Sequence, residues 1–503
     1  MKKIIFTFAL LVPAMTFFWG CNENPVSSTK DTLVYKDTLF APSQIYANFA
    51  HSDIYDLTFL KDMTSLQWLN LDSNDFSDIT PLSGLVNLEY LNLRKCFNVS
   101  NISTLSSLTK LKFLCLEECW KITDITPLSS LTALENLSIL SLSSITSLAP
   151  LKPLINLKRL DLGWMNGIEE YSDLAPLTKL EWIRLAGMKS KSISGLSGLP
   201  NLKTIIFANH ALVSLELSNL PSLQKIDFKN CDSVKQVIFS NMAVIDTLNL
   251  SVCSQLSKLS LTALSGLKAL IFGSGSLTNT DITLSGLSSI DSIVASLEKV
   301  TNISFVSGLT TLKSLNVTCQ ALTNISDVAA LTGLTSFTCR GDGVTNITPI
   351  ASLSNLIKLS LSYCGSITDI SPLSQLTNLE SVDLSYCAQI TSISVLSNLT
   401  KLKSIDIHYS RGLDSVLPDL SKLTQLKYLN INNCATIKDV SGISTLTGIN
   451  NLDIRYSGLT PATAAPLLQI MTSSADTLRY STGQLDSTQI LAVTAAGVIL
   501  PKY

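Results

Sequence analysis

The sequence predicts a solenoid: one curved sheet of about 18 short parallel strands, backed by mostly 3-10 or irregular segments. Three observations predict it. The unit L-x-x-L-x-L recurs in register, as in Leu88-Glu-Tyr-Leu-Asn-Leu93, Leu157-Lys-Arg-Leu-Asp-Leu162 and Leu426-Lys-Tyr-Leu-Asn-Ile431. Its 18 first positions, Leu66 through Ile449, stand about 22.5 residues apart on average, a period at which stacked coils complete one another's core. Residues 4 and 6 of each unit are apolar with a polar residue between them, the alternation of a short strand. A chain of 503 residues with 46% hydrophobic and only 15% charged residues then reads as one long stack rather than three or four domains.

The N-terminal element comes first. Lys2 and Lys3 precede an apolar run from Ile4 to Trp19. The run is shorter than the roughly 20 residues a spanning helix needs, and fits a signal peptide over 1–20. Its end, Phe18-Trp19-Gly20-Cys21, resembles the bacterial lipobox, although Phe18 replaces the usual Leu and Trp19 is bulky. The resemblance implies that Cys21 becomes N-terminal and lipid-modified. The protein would then sit in the bacterial cell envelope, at the outer membrane or cell surface, touching the membrane through that anchor alone. An ordinary secreted protein cleaved nearby is the other reading. Polar residues 21–29, with Pro25, read as a tether. Residues 30–65 are expected to cap the first coil, with a short helix within 42–49. The repeats occupy 66–458. Residues 459–503 are expected to cap the far end with helices over 460–471 and 487–496, or to contact a partner or membrane.

The return segments often read I-T-D-I-x-P-L-x-x-L, as in Ile122 to Leu131 and Ile367 to Leu376. With these segments the repeats resemble the internalin-like class of leucine-rich repeats over about 46–458. The resemblance implies a leucine-rich-repeat horseshoe with 3-10 turns on the convex side. It also implies adhesion to a surface, but no ligand-binding residue can be carried over from these motifs. The stretches Leu212–Leu217, Val234–Phe239 and Leu256–Leu261 lack the P-L return and alternate instead, which predicts a small convex sheet.

Eleven cysteines in an exported chain invite a disulfide reading. Their register favours another. Cys96, Cys119, Cys231, Cys253, Cys364, Cys387 and Cys434 all fall three residues after the second strand residue, where Asn74 stands in the first unit. In leucine-rich repeats this is the ladder position, turned inward to tie off the bend with a buried, free thiol. Cys339 falls at an inward strand position and Cys319 at the edge of the concave face.

Positions 3, 5 and 7 of each unit project from the concave face. Trp68, Tyr90, Phe113 and Trp182 hold position 3, interrupted by Asn136 and Arg159. Tyr363, Tyr386, Tyr409 and Tyr456 hold position 8, at the rim. Exposed aromatic residues suit a protein or glycan partner; the plainer reading is that they cover neighbouring turns. Asp383, Asp406 and Asp453 hold position 5, and His408 and Arg455 hold position 7. Like charges on adjacent strands need a cation, His408 or a ligand to offset them.

Net charge is -2, which excludes nucleic-acid binding by bulk positive charge. Three scattered histidines, His51, His210 and His408, exclude a His-rich metal centre, and no nucleophile, P-loop or dinucleotide motif appears. No cofactor, metal or catalytic residue is expected. The leading expectation is a monomeric, lipid-anchored envelope protein whose concave face binds a protein or glycan. A periplasmic or envelope scaffold for a bacterial partner is the alternative, and a glycan hydrolase the remote one.

Overall fold

A computed structural model describes residues 43–187, 190–208, 212–229 and 231–501. The signal peptide, Cys21, the tether, residues 30–42 and His210 lie outside these residues. The described chain forms two compact units. One comprises the described part of Met1–Ile145 with Pro153–Met165, the other Thr146–Lys152 with the described part of Asn166–Tyr503.

In the first unit six strands pair in parallel and in sequence order: Tyr46–Asn48, Trp68–Asn70, Tyr90–Asn92, Phe113–Cys115, Asn136–Ser138 and Arg159–Asp161. Each strand is three residues long because only the centre of L-x-x-L-x-L is extended. Leu69, Leu91, Leu114 and Leu160, at position 4, are wholly buried. The first strand corrects the sequence expectation of a capping helix within 42–49. Ala47 and Phe49 hold the inward positions that Leu holds elsewhere, so an extra coil precedes the first recognisable repeat.

In the second unit Trp182–Arg184, Thr204–Ala208 and Lys225–Lys229 pair in parallel. An 11-stranded parallel sheet then runs from Thr247–Asn249 to Thr477–Arg479. The last strand adds a coil beyond the final recognised repeat. It lies between the short helix Pro461–Ala464, which continues as a 3-10 turn through Gln469, and the helix Ser487–Ala495. That second helix is closed by a reciprocal cap between Asp486 and Gln489.

The return side is mostly 3-10 turns, and the D-I-T-P-L motif has a physical account. Asp78 and Asp124 each accept the backbone N–H two residues on, at 2.8 Å, which starts the turns Thr80–Gly84 and Thr126–Ser130. Asn101, Asn324 and Asn346 do the same for their coils. Proline follows where a helical turn needs no N–H. Coils are also laced edge to edge: Asn87, Asn156, Asn201, Asn355 and Asn378 each donate to a carbonyl of the preceding coil at 2.8–3.0 Å. Where the motif is missing, the return becomes a second parallel sheet of Ser214–Ser218, Gln236–Ser240, Lys258–Thr262 and Ile282–Ser285. Its last strand lies beyond the expected 212–261. The chain is thus a parallel-sheet leucine-rich-repeat solenoid with mostly 3-10 returns. Among the described residues no helix is long and apolar enough to cross a membrane.

Candidate binding face

The bend after each strand fixes what the sheet face presents. At the ladder position Asn74 is 2% exposed; its amide donates to Phe49 O and Leu71 O at 2.8 Å and accepts from Ile54 N at 2.9 Å. The thiols of Cys96, Cys119, Cys387 and Cys434 point to the position-6 carbonyls of the preceding coils, Leu71, Leu93, Leu361 and Ile407, at 3.0–3.2 Å. Cys364 reaches Cys339 O at 3.4 Å, and Ser410 fills the same post on Leu384 O at 2.7 Å. Cys231 and Cys253 are buried likewise, and neighbouring Cys364 and Cys387 do not pair with each other.

Burial pushes the thiols of Cys96, Cys253, Cys387 and Cys434 up to about 12. They stay protonated in the fold, whereas unfolded thiols ionise near the ordinary value of 9. These thiols should therefore resist a thiol reagent at pH 8 until denaturant is added, as read by mass-labelling. Their contribution to stability is complete below pH 9 and lost as pH rises through about 12. Fast native labelling would reject the buried ladder.

Cys319 departs from its expected place at the edge of the concave face. Strand Ser314–Cys319 is six residues long, so its alternation continues and turns this thiol inward to Val300 O at 2.9 Å.

Position 5 has a structural use that sequence reasoning missed. Asn70, Asn92, Asp383, Asp406, Asn430 and Asp453 each accept the backbone N–H two residues later, at 2.9–3.2 Å. These side chains close the strand end as Asx turns. The signal was legible as Asp or Asn repeating at that post. Asp383 and Asp406 are register partners, and each has its own compensation. Ser360 and Ser385 donate to Asp383 at 2.8 and 2.6 Å. His408 Nδ1 lies 2.5 Å from Asp406, while Tyr428 and Asn430 donate to it at 3.2 and 3.1 Å. Burial, with Asp406 beside it, raises the Tyr428 hydroxyl to about 12, so it remains a donor. Arg455 grips Asp453 with two bonds of 3.0 and 2.6 Å. Among the described residues no group of three or more His, Cys, Asp or Glu is placed to hold a metal ion.

The aromatic residues form two stacks. In the first unit the rings of Tyr46, Trp68, Tyr90 and Phe113 stack at 4.2, 4.6 and 4.2 Å, within 13° of parallel. Trp68 is only 7% exposed, which corrects the expectation of an open ring. Position-3 side chains on paired strands face each other, and here each ring is covered by the next. Tyr46 was missed because its coil lacks the leucines. Beside the stack, Arg94 bridges Asp72 and Glu117 at 3.7 and 3.1 Å. Trp182 belongs to the second unit, in register with Thr204, and takes no place in that stack.

In the second unit Tyr363, Tyr386 and Tyr409 stack at 4.3 and 4.6 Å, within 9° of parallel. All three have left-handed backbone, with φ of 62°, 60° and 59°. Asn433 takes the next post, so Tyr456, 62% exposed, stands apart from the stack. His408 meets Tyr386 and Tyr409 edge-on. Arg340 lies over Tyr363 at 5.6 Å and Arg411 over Tyr409 at 5.5 Å. Neither arginine was singled out by sequence: Arg340 stands at position 7, on the face itself, and Arg411 at position 10, beyond it.

Comparison with known proteins places this architecture. The family model described as leucine rich repeats (2 copies) matches residues 354–398. The model described as BspA type leucine rich repeat region (6 copies) matches 45–158, 185–272 and 222–338. No curated protein matches the chain. Among solved structures, an internalin of Listeria monocytogenes is 18% identical, with 92% of this chain and 87% of that one covered and a TM-score of 0.26. A leucine-rich-repeat protein of Leptospira interrogans is 16% identical, with 92% and 96% covered and a TM-score of 0.37. Toll in complex with Spätzle, from Drosophila, is 16% identical, with 89% and 59% covered and a TM-score of 0.49. The stretches matched by the BspA type model cover more than half of the 503 residues, and the chain belongs to the BspA type leucine-rich repeat family.

Proposed function

We propose that this chain is a recognition module of the bacterial cell envelope, lipid-anchored through Cys21, whose repeat face binds a protein or glycan partner. The observation that carries this reading is the row Tyr363, Tyr386 and Tyr409. A left-handed backbone costs a bulky residue roughly 1–2 kcal/mol relative to glycine. The bend imposes it on whatever residue stands there, as at Ser73, Lys95, Glu118 and Asn433, so the side chain at this post is free to vary. Three consecutive coils place a tyrosine there, none is buried, and Tyr363 is 48% exposed. Core packing does not account for rings so placed; a contact surface does. The lipobox-like Gly20-Cys21 supports the anchor, and the apolar run before it supports an exported location.

The test is protease treatment of intact cells, with a lysed control and a Cys21→Ala variant. Digestion in whole cells, together with release of the variant from the membrane fraction, is the expected result. Protection until lysis would move the repeats to the periplasm and favour a scaffold. A variant that stays membrane-bound would remove the lipid anchor from the reading.

A further inference from the structure

We propose that the tyrosine row and the cleft at its end dock an acidic, extended segment of a partner protein. This rests on the recognition reading above and narrows its ligand. The row runs Arg340, Tyr363, Tyr386, Tyr409, Arg411, with contacts of 5.6, 4.3, 4.6 and 5.5 Å. Every ring face inside it is covered by another ring, and the faces at its two ends are covered by guanidinium groups. A sugar that packs on an aromatic ring needs an open face, and this row leaves none. It leaves ring edges and phenol hydroxyls. Aromatic edges carry the positive part of the ring quadrupole, hydroxyls donate, and the ends are cationic. Such a strip complements carboxylates.

Both arginines are exposed, and among the described residues neither has a carboxylate within ion-pair distance. Arg94 and Arg455, by contrast, are paired. Arg340 Nε donates to Ser362 Oγ at 3.0 Å, which fixes the guanidinium plane and leaves its terminal nitrogens for a ligand. It lines a cleft of ≈ 440 Å³ with Thr318, Gln320, Gly341, Asp342 and Tyr363. Asp383 and Asp406 are held by the hydroxyl, amide and imidazole partners described above but keep their negative charge, so they oppose an acidic guest and the two arginines must outweigh them. Asp342 also opposes it: this carboxylate is in the cleft, where it accepts the Gly365 N–H at 3.3 Å. The arginines stand roughly 20 Å apart along the row, the reach of about six residues of extended chain. Two acidic residues about six apart would meet both.

The test uses the full chain and a labelled nonapeptide of Ser and Thr with Glu at its second and eighth positions. A Gln counterpart and polygalacturonate serve as comparison ligands, all read by fluorescence anisotropy or its competition. The Glu peptide should bind at least about tenfold more tightly than the Gln peptide. Arg340→Gln with Arg411→Gln should remove that preference with the melting temperature unchanged, since both side chains are exposed. Asp342→Asn should strengthen binding about threefold by removing a like charge. Equal binding of the two peptides, or no binding of either, overturns the inference. Binding of polygalacturonate without the peptide overturns it in favour of an anionic glycan. A Tyr363→Ser, Tyr386→Ser, Tyr409→Ser variant separates the two levels. If it abolishes binding of any extracellular protein or glycan while the peptide result is negative, only the acidic-segment inference falls. If that variant changes nothing either, the recognition reading falls with it.

Discussion

Replacing Trp68 by alanine is expected to destabilise the first unit by about 3 kcal/mol, the lower end of what truncating a buried tryptophan costs. The sequence alone places Trp68, Tyr90 and Phe113 on an open face, where joint replacement by serine would weaken partner binding and spare the fold. The structure reverses the second half of that expectation. The Trp68 ring is clamped between Tyr46 and Tyr90, at 4.2 and 4.6 Å, and is 7% exposed. Its loss opens a gap between the Tyr46 and Tyr90 rings. Trp68→Phe is expected to cost under about 1 kcal/mol. It keeps a ring in the stack and removes an indole N–H that is buried without a hydrogen-bond partner. The measurement is denaturant unfolding with hydrogen exchange over strands Tyr46–Asn48 and Tyr90–Asn92. Exchange resolves the first unit even where a repeat stack unfolds in parts. If Trp68→Ala matches the parent, the stack contributes no stability and the column is a free surface after all.

Asn74→Leu should cost more, on the order of 4 kcal/mol. The substitution is close in volume but removes every polar atom from the bend. Phe49 O loses the Asn74 donor, Leu71 O keeps only the weaker Cys96 thiol, and Ser52 N and Ile54 N lose the Asn74 acceptor. Asn74 is 2% exposed, so water does not replace it cheaply, and each orphaned group costs about 1–3 kcal/mol, partly relieved by local opening. Asn74→Cys should fall near half that loss, because a thiol restores a donor but not the acceptor. The contrast explains why cysteine serves in later coils. Cys96 and Cys119 need only one donor toward the preceding coil, a post that Ser410 fills with a hydroxyl. Accelerated proteolysis or exchange confined to residues 49–54 is the expected signature. A variant as protected as the parent would mean that the bend does not depend on this amide.

Much of the architecture was legible because it is written in a short period. Leucines at positions 4 and 6, Asn or Cys at position 9 and P-L returns recur often enough to fix strand, bend and turn in each coil. Legibility failed where identity changed but shape did not. Ala47 and Phe49 build a full coil without a leucine in the strand, so Tyr46 was assigned to a cap. It failed again where local geometry shifted the alternation, as with Cys319 in a strand twice the usual length. The candidate site was half legible. The sequence places Tyr363, Tyr386 and Tyr409 at one post in successive coils. It also shows Asp383 and Asp406 side by side, but not that each carboxylate closes its own strand end.

What the sequence determined by itself was the repeat: its length, its inward residues, its ladder and the parallel order of its strands. Those follow from local pattern, since a coil of this period can bury its apolar residues in one way only. Tertiary structure alone decided which faces remain open. Stacking of Trp68 between Tyr46 and Tyr90, and of Arg340 over Tyr363, depends on side chains in neighbouring coils meeting at 4–6 Å, whereas Arg411 covers Tyr409 from within the same coil. Such meetings are set by strand register and by the left-handed bend at position 8, which aims each side chain across the stack rather than along its own segment.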